Sequence, residues 1–428
     1  MISCGVSQID ITPLLGVRLA GYGNRTDSST AVHDPLYAQV LYLRDVRQTE
    51  VALISLDLVG IDREFTSQVR LAIEAKTLIP KENIMVACTH THAGPDGFAI
   101  LFPRITPPDK NYQFLRNEAI GKIVTAVQQA KLNVKEAKFW YGIEKVEGVC
   151  TNRNDPKISI PNTLTTLRIE NGTDLIGLIV SYGCHPTVLS AKNLLISADF
   201  PGALRVNLQK NLGSSVSIFL NSGSGDVSTR FTRQGQDFDE VERIGRLLAG
   251  YALEANRKSI AVTVDELSTI CKKVSLPLRK FPSVTDSEKL VQELEHEQES
   301  LRNQSASVAS LRVLETKIMG AKVQAKFSRE LTGIDEMTTE LQGIRIGDLV
   351  LISIPGEPFT EIVEIIKRGS NPYKTIVISY ANDYMGYFPI GVEEDTYESL
   401  KSPWSSEIGE LLAEQSLNVI NELTHQIY

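Results

Sequence analysis

The sequence contains little that would connect it to nucleic acid, a membrane or a disulfide framework. Its 428 residues carry a net charge of −8, so it lacks the basic excess that general nucleic-acid binding requires. No run approaches the roughly 18 apolar residues that a membrane-spanning helix needs. The five cysteines are scattered and none forms a CxxC pair, which predicts reduced thiols.

The N-terminal sequence also lacks the features of a secretory leader. The segment MISCGVSQIDITP has no basic n-region and no long apolar h-region. Together with the cysteine usage, this predicts a cytoplasmic protein. Histidine is scarce as well, yet two of the six histidines stand one residue apart in VACTHTHAGP, residues 86–95. That segment is therefore a candidate functional site.

Apolar, β-branched runs alternate with segments of helical periodicity. Helical spacing of apolar residues predicts helices over 240–254 and 405–426. Strands are predicted over six runs, namely 51–60, 83–89, 175–183, 215–221, 348–355 and 374–381. The pattern predicts a mixed α/β fold in which a buried mixed β-sheet is flanked by helices, and we expect residues 1–428 to form a single domain.

The segment 285–330 differs from the rest of the chain because it is highly charged and lacks proline. Thr285 and Glu288 have the spacing of a capping box, and apolar residues follow at heptad-like intervals. This predicts a helical hairpin or arm inserted in the domain. The heptad-like pattern requires only a partner helix, so a packing arm or a homo-oligomer is favoured over the alternative of a substrate lid.

Polar residues follow five of the predicted strands, each beside glycine or proline. In α/β sheets, the loops at the carboxyl ends of strands converge on ligands, so we expect these residues to meet. The residues, in chain order, are His90 and His92, His185, Asp226 and Ser228, Glu357, and Tyr387.

Each of these features has an ordinary structural explanation when it is taken alone. His185 is typical of a hydrogen-bonded core histidine, Glu357 of a turn cap, and Tyr387 of packing. Together they supply the His and Glu ligands that catalytic zinc sites use, and zinc would stabilise a deprotonated tyrosine ligand. We therefore expect a Zn²⁺ site at the strand ends.

A series of motifs resembles the neutral/alkaline (non-lysosomal) ceramidase family. The motifs occur in the family order over about residues 2–260 and 340–400, and they are ISCGVSQIDITP, LAGYGNR, VHDPLYAQVL, VALISLDLVG, THTHAGP, CHPT, GDVS, IPGE and YANDYMGY. The resemblance implies a zinc-dependent amidase that cleaves the N-acyl bond of ceramide to give sphingosine and a fatty acid.

The resemblance also implies roles for individual residues. The zinc ligands would be His90, His185, Glu357 and Tyr387, with Tyr384 as the alternative to the tyrosine. His92 would transfer protons beside the metal. Ser228 would either attack the substrate or orient a zinc-bound water.

Two further residues match family positions that act on the substrate. Arg153, in TNRN, would contact substrate near the metal, and Tyr397 would assist at the scissile amide. The sequence departs from the family pattern where Thr229 replaces the usual proline and where FPIG replaces a Thr-Thr pair. We also expect no C-terminal immunoglobulin-like domain.

The sequence therefore predicts a zinc-dependent hydrolase that acts on ceramide or another N-acylated small molecule or lipid-like substrate. One alternative is a metal-independent serine hydrolase that uses Ser228, Asp226 and a histidine. Another is a non-catalytic ligand-binding or scaffold protein on the same fold.

Overall fold

The structure is a computed structural model, and it describes residues 2–99, 110–213, 216–304, 308–391 and 396–425. The strands in these ranges are β1 (Ile2–Asp10), β2 (Ala31–Val32), β3 (Tyr37–Arg44), β4 (Glu50–Leu56), β5 (Ile84–Cys88), β6 (Lys135–Lys145), β7 (Thr151–Asn152), β8 (Thr163–Asn171), β9 (Asp174–Tyr182), β10 (Leu195–Ile196), β11 (Val216–Asn221), β12 (Val227–Ser228), β13 (Ile260–Val262), β14 (Leu267–Pro277), β15 (Glu336–Ile346), β16 (Leu349–Ser353), β17 (Glu357–Pro358), β18 (Lys374–Ile378) and β19 (Tyr387–Phe388). The helices are α1 (Arg63–Thr77), α2 (Lys110–Leu132), α3 (Asp199–Leu212), α4 (Phe238–Arg257), α5 (Val284–Asn303), α6 (Val308–Leu331), α7 (Thr360–Gly369), α8 (Tyr397–Lys401) and α9 (Ile408–His425).

A large mixed sheet forms the centre of the molecule. Its strand order is β11-β9-β8-β6-β1-β3-β4-β5, and β13 pairs with β6. The β4–β5 and β9–β11 pairs are parallel, whereas the other pairs are antiparallel. This arrangement confirms the predicted mixed α/β fold with a buried sheet.

Side-chain alternation along the strands separates the two faces of this sheet. Tyr42 and Ile54 point to the face that helices α1 and α2 cover, while Leu41 and Leu53 point to the opposite face. Helices α3 and α4 cover the same outer face over β8, β9 and β11. The inner face is therefore left for a second sheet.

The second sheet has the order β14-β15-β16-β18 and packs on the inner face of the first. Leu351 and Ile376 belong to the core between the sheets, whereas their strand neighbours Ile352 and Val377 pack toward α7 and α9. Strands β4, β5, β11, β16 and β18 are consequently buried on two sides, which explains why their sequences are continuous apolar runs.

Strands β11 and β5 lie at opposite ends of the strand order, yet curvature of the large sheet brings them together. Ser55 Oγ on β4 donates a hydrogen bond to the Phe219 carbonyl on β11 at 2.7 Å. Gln39 on β3 donates to the Ser217 carbonyl in the same way. The carboxyl ends of β5, β9 and β11 therefore lie close together.

Helices α5 and α6 occupy most of the charged segment 285–330 and contact each other along their lengths. The capping box predicted at Thr285 and Glu288 is wrong. Ser283 is the N-cap and accepts a hydrogen bond from the Asp286 amide, while Glu288 forms an ion pair with Arg329 of α6 at 2.8 Å. A role for this arm in oligomerisation stays a prediction.

All five cysteines are unpaired in the structure. Among the described residues, no helix combines the length and apolar character required to span a membrane.

A buried ion pair connects the end of β4 to helix α3. The Arg205 guanidinium donates to both carboxylate oxygens of Asp57, at 2.8 and 2.6 Å. Asp57 also accepts from the Thr89 hydroxyl at 3.2 Å, one residue before His90. This network fixes the turn that presents the first site histidine.

We expect Asp57→Asn to lower the free energy of unfolding by about 3–5 kcal/mol, because it leaves the buried Arg205 charge without its partner. The control Glu254→Gln removes a carboxylate from the exposed pair with Arg257 and should leave the free energy of unfolding nearly unchanged. Chemical denaturation of both variants measures the difference. Equal losses would contradict the structural role of the buried pair.

Candidate metal-binding and catalytic site

His90 stands in a turn that follows β5. The strand ends at Cys88, and His90 has a φ of +71°, a left-handed conformation that is uncommon outside glycine. The turn places His90 Nε2 3.2 Å from His92 Nε2. The two rings thus meet because of the turn, and not because a strand continues through them.

His90 and His185 are held by backbone carbonyl groups in the same way. His90 Nδ1 lies 2.5 Å from the Val59 carbonyl oxygen, and His185 Nδ1 lies 2.5 Å from that of Ser224. A carbonyl oxygen only accepts, so each Nδ1 carries the proton and each Nε2 presents a lone pair. Metal-binding histidines are commonly oriented by such bonds.

Glu357 completes the cluster from the short strand β17, which follows β16 of the second sheet. Its Oε2 lies 3.0 Å from His185 Nε2 and 3.6 Å from His90 Nε2. Its Oε1 accepts a hydrogen bond from the Tyr384 hydroxyl. Strand β17 pairs in parallel with β19, and this register sets Glu357 directly beside Tyr387.

The protonation states of this cluster suit a metal ion. Burial is the main cause that lowers the pKa of His90, to about 3, so its imidazole is neutral near pH 7. Burial alone would raise the pKa of Glu357, but His90, His185 and Tyr384 outweigh that effect and lower it to about 2. Neutral imidazoles and an ionised carboxylate are the ligand forms that bind zinc.

The geometry of the cluster fits a bound cation. The ligand atoms of His90, His92 and His185 all lie within 4.8 Å of one another. Glu357 Oε2 faces two of these rings, is fully buried and accepts no hydrogen bond within the described part of the chain. A cation among these atoms would supply the missing partner, and the His and Glu donor set is typical of zinc.

His92 lies beside this cluster, and the backbone at Gly21 packs closely against its ring. Gly21, in LAGYGNR, has a φ of +91°, and a Cβ added there would stand 2.3 Å from the His92 ring. The Tyr22 ring meets the His92 ring edge-on, with centroids 5.0 Å apart. A glycine at position 21 is therefore required for His92 to hold its place.

Arg153 is fixed by a carboxylate that the sequence did not reveal. Glu398, fully buried on α8, lies 3.0 Å from Arg153 Nε and also accepts from Asn154. Arg153 Nη1 donates to the Tyr387 hydroxyl at 3.3 Å, and its guanidinium lies over the Tyr397 ring. The burial of Glu398 is not detectable in the sequence, where it is one of three glutamates near Tyr397.

Ser228 lies in the short strand β12, which pairs with β7 just before Arg153. A separate parallel bridge joins it to His185. Its hydroxyl oxygen accepts a hydrogen bond from the Arg230 amide at 3.3 Å. Three residues earlier, the backbone at Gly225 packs closely against Glu357. A Cβ at position 225 would stand 2.6 Å from the Glu357 carbonyl oxygen, so a larger residue would clash there.

One cavity of about 440 Å³ joins these residues. Its wall contains Tyr384 and the eight residues to which the family resemblance gave roles, namely His90, His92, Arg153, His185, Ser228, Glu357, Tyr387 and Tyr397. Asp226, which was also expected there, does not line the cavity and accepts hydrogen bonds from Thr360 instead. The structure therefore brings together the other strand-end residues that the sequence singled out. The role of each stays a prediction.

Two further buried residues support the histidines and were missed in the sequence. The Asn221 amide group donates to the Thr89 and Cys184 carbonyls, at 3.0 and 3.2 Å, just before His90 and His185. The Tyr380 ring stacks on His90 with centroids 3.9 Å apart. Their positions at strand ends were visible, but their contacts depend on the curvature of the sheet.

Comparison with known proteins agrees with this geometry. The family model described as neutral/alkaline non-lysosomal ceramidase, N-terminal, matches residues 2–237. Since this is more than half of the chain, the protein belongs to that family.

Individual relatives give the same result. The neutral ceramidase of Mycobacterium tuberculosis is 24% identical over 285 residues, which are 57% of this chain and 44% of that protein. The neutral ceramidase of Pseudomonas aeruginosa is 22% identical over 319 residues, 66% of this chain and 46% of that protein. The chain thus spans less than half the length of these relatives.

A crystal structure of the neutral ceramidase from Pseudomonas aeruginosa has the same fold. It superimposes with a TM-score of 0.77 at 18% identity, covering 100% of this chain and 75% of that chain. A structure described as ceramidase complexed with C2 gives a TM-score of 0.75 at 16% identity. At this identity the match concerns the fold alone.

We expect Asn221→Ala to lower the free energy of unfolding by about 2 kcal/mol or more, because it leaves the buried Thr89 and Cys184 carbonyls unpaired. The neighbouring Ser222→Ala is the matched control. The Ser222 hydroxyl is buried without a hydrogen-bond partner in the described structure, so its loss should change stability by less than about 0.5 kcal/mol. Similar losses in the two variants would contradict the supporting role of Asn221.

Proposed function

We propose that this protein is a zinc-dependent amidohydrolase that cleaves the N-acyl bond of ceramide or of a related N-acylated compound. The main support is the convergence of His90, His185 and Glu357 from both sheets, with their Nε2 and Oε2 atoms facing one point. Membership of the ceramidase family supports hydrolysis as the reaction.

We propose His90, His185, Glu357 and Tyr387 as the zinc ligands. When bound, zinc polarises the amide carbonyl and lowers the pKa of a water molecule toward 7. Tyr384 already donates its hydroxyl proton to Glu357, which favours Tyr387 as the tyrosine ligand.

His92 is the proposed proton carrier. Its Nε2 lies 3.2 Å from His90 Nε2, and burial is the main cause that lowers its pKa well below the usual value. A neutral imidazole in this position accepts a proton from the attacking water and returns it to the departing amine. Because His92 Nε2 also lies within the histidine cluster, direct coordination is the alternative role.

Three other residues orient the substrate. Ser228, bridged to His185, either attacks the acyl carbon or positions the water beside it. Arg153 is held rigid by Glu398 and contacts the substrate near the scissile bond. The Tyr397 hydroxyl donates to the oxyanion that forms on the acyl oxygen.

The serine-hydrolase alternative has less support. Both carboxylate oxygens of Asp226 accept hydrogen bonds from Thr360, so they are not available to orient a histidine. His185 Nδ1 lies against the Ser224 carbonyl instead of a carboxylate. Among the described residues, the relay of carboxylate, histidine and serine that such a mechanism needs is not formed.

A non-catalytic binding role is the second alternative to the proposed hydrolase. The cytoplasmic location of the protein is also a proposal.

We expect the purified protein to contain about one zinc ion per chain, because catalytic zinc is held by three or more His and carboxylate ligands. Chelation should abolish N-acyl hydrolysis and added zinc should restore it. Chelation should also lower the melting temperature, because the ion binds the folded state alone. Metal analysis, a hydrolysis assay and thermal unfolding measure these effects.

His90→Ala and His185→Ala should lose both zinc and activity. The control His296→Ala changes an exposed histidine on α5 and should keep both. A wild-type protein without bound zinc, or with full activity after chelation, would contradict the zinc mechanism. Bound zinc without turnover of any amide or ester would favour the binding-protein alternative.

A further inference from the structure

The wall of the cavity is made mostly of polar and charged residues. Among the described residues that line it, Val59 is the one aliphatic side chain larger than alanine, and the rings present are histidines and tyrosines. A long alkyl chain is stabilised by each CH₂ group that it buries against apolar surface. Apart from the ring faces, this wall presents few apolar side chains to the two long chains of a ceramide.

The wall is also positively charged, although the whole protein has a net charge of −8. Four cationic side chains line the cavity and Glu357 is the sole carboxylate among its described lining residues; the cations are Arg153, Arg230, Arg233 and Lys401. A concave surface of one charge attracts ligands of the opposite charge. The positive charge of the cavity wall is therefore a property of the site and does not follow from the net charge of the whole protein.

Within the described ranges, three of these four cations have no carboxylate at ion-pair distance. Glu398 neutralises Arg153, with a separation of 3.0 Å. Arg230 and Arg233 each donate to a backbone carbonyl, that of Arg153 at 2.9 Å and that of Thr187 at 2.8 Å. Lys401 lies over the Tyr397 ring, with Nζ 4.7 Å from its centroid.

These three cations lie beside the residues proposed to act on the amide. Arg230 follows Ser228 by two residues and its amide binds the serine hydroxyl. Partial burial and the charge of Arg153 lower the pKa of Arg230 by more than the charge of Glu398 raises it. Lys401 reaches Tyr397 from the far end of α8.

We infer that the site takes a small, polar N-acyl compound that carries an anionic group, carboxylate or phosphate, in place of a long-chain ceramide. The anion binds at Arg230, Arg233 and Lys401 while the amide lies at the histidine cluster. This inference rests on the proposed hydrolase function for the position of the amide. The charge and polarity of the wall supply the substrate class.

Matched substrates test the inference. N-hexanoylglycine and N-hexanoyl-O-phosphoethanolamine carry a carboxylate and a phosphate, and N-hexanoylglycinamide and N-hexanoylethanolamine are their neutral counterparts. We expect kcat/KM to be about tenfold higher or more for a charged member than for its neutral counterpart, a difference of about 1.4 kcal/mol. Added salt should reduce the difference because the cations are accessible to solvent. Comparison of kcat/KM between the two charged substrates shows whether the site prefers a carboxylate or a phosphate.

Variants of the cations test the assignment of residues. Arg230→Gln and Lys401→Gln should each raise KM for the charged substrates about tenfold, with a much smaller change for the neutral substrates. Arg230→Lys should retain most of the preference, since it keeps the charge. The control Arg47→Gln removes an exposed arginine that pairs with Glu266 away from the cavity, and it should have no effect.

The outcomes separate this inference from the proposed function. Equal kcat/KM for charged and neutral members, or faster turnover of long-chain ceramide than of every polar substrate, would overturn the inference and leave the hydrolase intact. If no substrate is hydrolysed, the proposed function fails, and calorimetric binding of N-hexanoylglycine decides the inference. Binding that Arg230→Gln weakens would support it, and absence of binding would overturn it.

Discussion

The side chain of Asn221 connects the chain segments on which the site depends. Its amide group donates to the carbonyls of Thr89 and Cys184, while the backbone carbonyl of Asn221 accepts from the Ser379 amide at 2.9 Å. The turns that carry His90 and His185 and the loop that leads to Tyr387 therefore meet at one buried residue. Such a junction requires the curved sheet, because β11 and β5 are far apart in strand order.

Electrostatic compensation balances the buried charges around the cluster. The imidazoles are oriented by backbone carbonyls, and Glu357 is ionised at neutral pH because its pKa is lowered to about 2. Arg153 brings a second buried charge close to the site, and Glu398 balances it. Among the described residues, Arg230, Arg233 and Lys401 line the same cavity without a carboxylate at ion-pair distance.

Much of the fold was predictable because its central strands are apolar on both faces. Each of the six predicted strands is found, and the limits differ from those expected by at most four residues, as at the end of β4 (Glu50–Leu56). The long antiparallel strands β14 and β15 were not predicted, since several of their residues are polar and partly exposed. The cap of α5 was misplaced because Ser283 and Thr285 are both suitable N-cap residues, and the sequence alone does not choose between them.

The candidate site was predictable to the extent that its residues follow strands. The rule that loops converge at the carboxyl ends of strands identified His90, His185 and Glu357 without knowledge of the strand order. Contacts that depend on sheet curvature or on burial, such as those of Asn221 and Glu398, required the structure. The left-handed conformation of His90 was also invisible in the sequence, because the surrounding turn imposes it.

The central claim is that residues at these strand ends hold a zinc ion, and anomalous diffraction from crystals of the zinc-loaded protein tests it most directly. Data collected above and below the zinc absorption edge should give one strong peak about 2.0–2.3 Å from His90 Nε2, His185 Nε2 and Glu357 Oε2, with Tyr387 as the fourth protein ligand. A peak bound by His92 in place of Tyr387 would reassign one ligand. Absence of a peak among these residues would contradict the account.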